Sequence, residues 1–290
     1  VSTEQQWDIV SGIGITALAV AASRARETSR PDALAKDPYA ADFVKEAHPP
    51  VPLPTTEAEA AAMETQRTWS ATSAYVAVRT RYFDDYVQRA AAAGVTQMVL
   101  LASGLDTRAF RLRWPAHTVV YEIDQPLVLD FKLSVLRKRG ATTECDHRPV
   151  AADLKEDWAA ALEKAGLDRS RPTAWLAEGL LPYLPPTAED DLFQEIHRLS
   201  APGSQLAVEY LGDMQEALDD AAIADSTRRL GVDIGGLVHT GRRPAPGVRL
   251  SELGWETREV SAAEAAGGYE RPLDPTSFMS RAVYTCARRS

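Results

Sequence analysis

The residues best placed to do chemistry in this chain are a lone glycine and two carboxylates that follow it. Gly104 sits in the turn Leu101-Ala102-Ser103-Gly104-Leu105-Asp106, directly after the apolar run Gln97-Met98-Val99-Leu100-Leu101. Asp124 lies twenty positions beyond Gly104, at the end of the next apolar run. A carboxylate there can accept both hydrogen bonds of a ribose diol. Asp153 and Leu154 follow a third, weaker strand-like segment near Asp146 to Ala151. Such a pair can accept from an exocyclic amine while packing an apolar side chain on a base ring.

Dinucleotide sites use three glycines so that a pyrophosphate can approach the backbone and a helix N-terminus. No G-x-G-x-x-G occurs in this chain. A nucleoside ligand without phosphates, such as S-adenosylmethionine, needs fewer close backbone approaches. Each feature also has a plain structural reading. Ser103-Gly104 could be only a strand-to-helix turn with Asp106 as N-cap, Asp124 could cap a helix from Pro126, and Asp153-x-x-Glu156 reads as a capping box. Glu122 points to the same side as Asp124 by strand alternation and is the reserve for the ribose role.

These residues need a scaffold that lines up strand ends. From residue 97 onward, short apolar runs alternate with amphipathic helices. Strands are predicted at 97–101, 118–123, 146–151, 173–177 and 205–210, with two more at 255–260 and 282–287. Helices are predicted at 126–139, 154–165 and 188–199, the last with Thr187 as N-cap. In the first of these, Pro126 suits the opening turn, Lys132, Arg137, Lys138 and Arg139 suit the C-terminal dipole, and Gly140 suits the C′ position. That alternation predicts an α/β fold with a doubly wound, mostly parallel sheet. The preceding region, 1–94, reads as helical and Ala-rich, broken by the Pro-rich stretch His48-Pro49-Pro50-Val51-Pro52-Leu53-Pro54. The domain expectation is therefore a helical cap over 1–94 and a core over 95–290. Within that core, 213–248 breaks the rhythm and reads as a lid insertion.

Composition narrows the partners. Lys plus Arg number 32 against 41 Asp plus Glu, a net charge of −9, which disfavours binding to a phosphate backbone. Two cysteines give neither a disulfide framework nor a metal motif, and fit a reducing compartment. The apolar segment 9–22 follows Glu4 and Asp8 rather than a basic stretch, and is too short to span a bilayer. The expectation is a cytoplasmic protein with no nucleic-acid, membrane or metal partner.

Four motifs occur in a defined order: Val99-Leu100-Leu101-Ala102-Ser103-Gly104-Leu105-Asp106-Thr107-Arg108, Tyr121-Glu122-Ile123-Asp124-Gln125-Pro126, Ala152-Asp153-Leu154 and Ala177-Glu178-Gly179-Leu180-Leu181-Pro182-Tyr183-Leu184. Together they resemble the leucine carboxyl methyltransferase family, in particular its bacterial branch abundant in mycobacteria and other actinobacteria. The resemblance is strong over 74–210 and looser elsewhere. Four ordered motifs are far more specific than any one of them.

The resemblance implies a class I methyltransferase fold, Rossmann-like and seven-stranded, with an N-terminal helical cap and S-adenosylmethionine as cofactor. Carried over by motif, Ser103 and Gly104 would back the ligand, Asp124 would hold the ribose, and Asp153 with Leu154 would contact the adenine. Glu178 would lie close to the methionine moiety. Arg79 matches the family's basic residue upstream of the first strand, suited to the methionine carboxylate, with Arg81 as its neighbour in contention; a solvated helix face is the bland reading of both. The chain departs from the eukaryotic members in its lid and need not share their acceptor, the C-terminal leucine of a phosphatase.

Methyl transfer from a sulfonium requires alignment and exclusion of water more than acid or base help. The expectation is O-methylation of a carboxylate or hydroxyl on a small molecule or peptide. A carboxylate acceptor needs no base, whereas a hydroxyl would want one. Tyr183 and His239 are the weak candidates around the acceptor. Arg242 and Arg243 could bind an acidic acceptor or simply be solvated. Two rivals remain: a non-catalytic S-adenosylmethionine-binding protein, and an NAD(P)-dependent reductase. The reductase predicts a glycine-rich fingerprint and a tyrosine followed four residues later by lysine, and the sequence has neither.

Overall fold

The structure, a computed structural model, describes residues 9–63, 66–220, 223–224, 227–228, 231, 233–241 and 243–290. Its centre is a seven-stranded sheet in the order β3-β2-β1-β4-β5-β7-β6. β1 (Gln97–Leu101) and β4 (Thr173–Ala177) are buried at every position. This follows from their near-continuous apolar composition, which suits a strand covered on both faces. β2 (Val119–Asp124) and β3 (Asp146–Ala151) continue in parallel on one side of β1, and β4 and β5 (Gln205–Tyr210) on the other. β7 (Val283–Arg289) runs antiparallel between β5 and β6 (Trp255–Ser261).

Strand order reverses between β1 and β4. The chain winds outward through β2 and β3, then returns to start the other half beside β1. The carboxyl ends of β1 and β4 therefore bound the crevice where an open α/β sheet binds its ligand.

Helices cover both faces. Val99 and Leu101 of β1 pack with Trp158 and Leu162 of α7 (Trp158–Lys164) and Leu192, Phe193 and Ile196 of α8 (Pro186–Leu199). Met98 and Leu100 face the other way, onto Tyr75, Val78 and Tyr86 of the long α4 (Gln66–Ala92). A third cluster joins α1 (Gly12–Thr28), α2 (Ala40–Ala47) and α6 (Pro126–Lys138) through Leu18, Phe43, Val135 and Leu136. Leu105, from the turn after β1, belongs to that cluster, so α1 packs against that turn. The apolar 9–22 segment is thus mostly this packed helix. Among the described residues no helix is long and apolar enough to cross a membrane.

Several local expectations need correction. α7 begins at Trp158 rather than 154, because Asp157 accepts from the Ala160 N–H at 3.0 Å and caps it. Asp153 caps no helix; it closes a turn by accepting from the Lys155 N–H at 2.9 Å. α8 begins at Pro186, whose missing N–H costs nothing in a first turn, and Thr187 is not its cap. Lys132 lies mid-helix on the buried side of α6; the last turn carries Arg137 and Lys138. The 213–248 stretch holds α9 (Met214–Asp219) and a 3₁₀ turn at Ile234–Gly236, and runs into α10 (Pro246–Glu252). Part of it, Arg242 included, lies outside the described residues.

Candidate functional site

The turn after β1 holds two left-handed residues, Ala102 at φ +48° and Gly104 at φ +49°. For an alanine that conformation costs about 1–2 kcal/mol, and such strain persists where the surroundings impose it. The Ser103 N–H donates to Ile123 O at 3.0 Å, stitching the turn to the end of β2. Gly104 then donates its N–H to Asp124 Oδ2 at 2.6 Å. Asp124 Oδ1 accepts from the Gln125 N–H at 2.7 Å, while Gln125, the N-cap of α6, makes no side-chain cap. Asp124 is thus turned toward the turn after β1 and does not cap α6. Burial pushes its pKa up, against the pull of those two N–H groups.

Gln125 also donates through Nε2 to Asp153 Oδ2 at 3.2 Å, bringing the second and third motifs into one rim. Leu154 packs on the core below. Asp106 caps in part: its Oδ1 accepts from the Arg108 N–H at 2.7 Å, but the N-cap of the short α5 (Arg108–Arg111) is Thr107.

Glu178, directly after β4, forms the opposite wall. Its Oε2 accepts from Arg108 Nη1 at 2.7 Å, and its Oε1 lies 2.9 Å from Arg79 Nε. Arg79 projects from α4 and is 7% exposed, so it is no solvated helix face. Its Nη1 donates to both oxygens of Glu209 on β5, at 3.1 and 3.0 Å. Tyr75 also donates to Glu209, and so does the Gly179 N–H at 2.6 Å. Burial opposes the charge on Arg79, yet Glu209 and Glu178 hold it more firmly protonated than a free arginine. Arg81 turns outward instead, paired with Asp85 at 2.9 Å.

Tyr183, in a 3₁₀ turn at Leu181–Tyr183, brings its hydroxyl within 3.3 Å of Thr16 Oγ1 on α1. Burial raises the Tyr183 pKa, which keeps it a neutral phenol. His239 is exposed; its backbone N–H, not its ring, ties it to Pro182 O at 2.9 Å. Arg243 is neither solvated nor open to an acceptor. It donates to Leu181 O and Leu184 O, both at 3.2 Å, and to Glu189 Oε2 at 2.6 Å. Glu122 is excluded from the ribose position, being fully buried and paired with Lys132 at 2.8 Å.

Sequence reasoning missed Arg108, Glu209, Tyr75 and Gln125 as part of this cluster. Glu209 had a signal, a charge inside the apolar strand Gln205-Leu206-Ala207-Val208-Glu209-Tyr210. Tyr75 had none, because a tyrosine on a helix reads as core.

The arrangement suits a zwitterionic nucleoside. Arg79 Nε–H is buried and, although close to Glu178, is not aimed at it and has no aligned acceptor among the described residues. Such a donor fits an incoming carboxylate. Asp124 and the strained turn lie at the ends of β2 and β1, beside the switch point where an open α/β sheet binds its ligand.

The leucine carboxyl methyltransferase family model matches residues 17–197, and the chain belongs to that family. It is an S-adenosylmethionine-dependent methyltransferase of class I fold. A Saccharopolyspora erythraea protein named "Putative S-adenosyl-L-methionine-dependent methyltransferase" is 50% identical over 272 residues, covering 94% of this chain and 93% of that one. A Mycolicibacterium vanbaalenii protein of the same name is 45% identical over 300 residues, covering 99% and 98%. The fold is similar to the crystal structure of a DUF574 family protein from Streptomyces avermitilis, with a TM-score of 0.55 at 17% identity over 92% and 97% of the two chains.

Proposed function

We propose that the crevice between β1 and β4 holds S-adenosylmethionine and that the chain passes its methyl group to an oxygen of a small molecule or peptide. In this reading Ser103 and Gly104 back the cofactor, Asp124 takes the ribose, and Asp153 with Leu154 takes the adenine. Glu178 and Arg79 take the methionine end, the carboxylate falling to the unengaged Nε–H of Arg79. Bound there, the cofactor supplies a methyl group carried on a sulfonium. The chain's own work is to hold that group in line with the acceptor under α1 and to keep out water.

The observation that favours a carboxylate acceptor over a hydroxyl is the state of Tyr183. Its burial-raised pKa makes it a hydrogen-bond partner rather than a base near neutral pH. Glu178 Oε2 accepts from Arg108 Nη1, and Oε1 lies 2.9 Å from the Arg79 guanidinium without an aligned hydrogen bond, so two positive charges flank it and it is no free base either. An acceptor already ionised needs neither. The test is transfer of labelled methyl to pooled organic acids, peptides and alcohols, followed by alkali. A methyl ester releases volatile labelled methanol, which is the expected result; label that resists alkali would contradict carboxylate methylation, and no transfer to any pool would contradict catalysis.

A further inference from the structure

A buried ion pair lies directly behind the cofactor turn, and nothing in the methyl-transfer reading uses it. Lys132 of α6 and Glu122 of β2 are each 0% exposed, with Nζ 2.8 Å from Oε2. The same Glu122 oxygen lies 2.9 Å from His147 Nε2 on β3, and the His147 ring meets Phe110 edge-on at 4.9 Å. Glu122 Oε1 has no hydrogen-bond partner among the described residues. Lys132 Nζ also donates to Ser103 Oγ at 3.1 Å.

Burying two such ions costs several kcal/mol apiece, and apolar residues of the same volume often serve stability as well or better. What the pair gains by being charged is therefore sought in what it touches. The only described group it reaches outside its own cluster is Ser103, between the two left-handed residues of the turn. Three strands converge on this point: Ser103 follows β1, its N–H is held by Ile123 of β2, and Glu122 is held in turn by His147 of β3.

We propose that Lys132 is a positioning residue for the cofactor turn, using an ammonium anchored by Glu122 to fix Ser103 Oγ and hence the backbone that aims Gly104 N–H at Asp124. This rests on the reading of Gly104 and Asp124 as cofactor contacts. The pair also accounts for a stable turn despite the unfavourable conformation of Ala102. Its ammonium further opposes, behind the two N–H groups, the burial that raises Asp124.

The test is calorimetric titration of S-adenosylmethionine into the full chain and its variants, with a thermal melt of each. Lys132→Met paired with Glu122→Gln removes both charges, so the melt returns to the parent value or above it. Affinity is expected to stay about tenfold weaker, the loss of one charge-assisted hydrogen bond. Ser103→Ala is expected to lose the same factor at an unchanged melt, and combining all three changes to lose no more. A double variant that binds at parental strength would reduce the pair to packing and overturn the proposal. Ser103→Ala at parental strength overturns it too, and decides alone if the double variant does not fold. Asp124→Ala measured alongside separates the two readings. Parental affinity in that variant, with losses in the others, overturns the ribose assignment and leaves Lys132 positioning only the Ser103-Gly104 backbone; the converse pattern overturns the role of Lys132.

Discussion

Gly104 N–H and Asp124 Oδ2 meet at 2.6 Å, joining the turn after β1 to the end of β2. The contact places a carboxylate at the switch point of the sheet, and it depends on a glycine that can hold φ +49°.

Gly104→Ala therefore tests the turn itself. A Cβ there would come no closer than 4.0 Å to Ala17 Cβ or to Ala102 O, so no clash is expected. The remaining cost is the left-handed conformation, about 1–2 kcal/mol. Urea unfolding should show a loss of that size. A loss above about 4 kcal/mol would mean that the site is packed more tightly than described.

Asp124 gives a pH signature. Burial raises its pKa in the folded chain above the ordinary 3.8. The folded chain then binds this proton more tightly than the unfolded chain. Its contribution to stability is full below the unfolded value and is lost as pH rises through the folded value. Asp124→Asn removes that loss, so the cofactor-free variant should gain on the parent as pH climbs from about 3 to 7. Melts across that range check the trend; a gain that shrinks with pH would contradict it.

Glu209 should matter more to stability than Glu178. Glu209 is 1% exposed and accepts from Tyr75, Arg79 and Gly179, so Glu209→Gln leaves a buried guanidinium underpaired. The expected cost is about 3–5 kcal/mol. In Glu178→Gln, Arg108 keeps Asp84 and Asp106 and Arg79 keeps Glu209, so the loss should be smaller. Equal losses in urea unfolding would refute that ordering.

The skeleton of this site was readable because parallel strands announce themselves. Gln97–Leu101, Thr173–Ala177 and Gln205–Tyr210 fall where short apolar runs predict them, and Asp146–Ala151 falls at the weaker third strand, whose sequence is largely polar. Asp124 and Glu178 were legible as polar residues at strand ends. The order of the sheet was not, since β7 inserts between β5 and β6 by antiparallel pairing that no local pattern records. Buried polar partners were the hardest. Lys132 read as a helix-end charge because its partner Glu122 lies on the preceding strand, and Arg243 read as a loop cation because Leu181, Leu184 and Glu189 lie 54 to 62 residues away.

Arg243 is expected to act as a strap. It ties Leu181 O, Leu184 O and His239 O to Glu189, which is 2% exposed. Burial raises the Glu189 pKa while Arg243 pulls it down. Arg243→Ala should cost about 3 kcal/mol or more. It should also speed hydrogen exchange at the His239 amide, which donates to Pro182 O. Unchanged exchange there would rule out the strap.

The central claim is that one crevice holds the ribose at Asp124 and the methionine carboxylate at Arg79. Calorimetry with S-adenosylmethionine and with 5′-methylthioadenosine, which keeps the nucleoside but lacks the amino-acid end, tests it most directly. Asp124→Ala should weaken both ligands by about 1–3 kcal/mol. Arg79→Met should weaken S-adenosylmethionine alone, leaving methylthioadenosine at parental strength. Parental binding of both ligands by folded Asp124→Ala, or equal losses for both in Arg79→Met, would contradict the assignment.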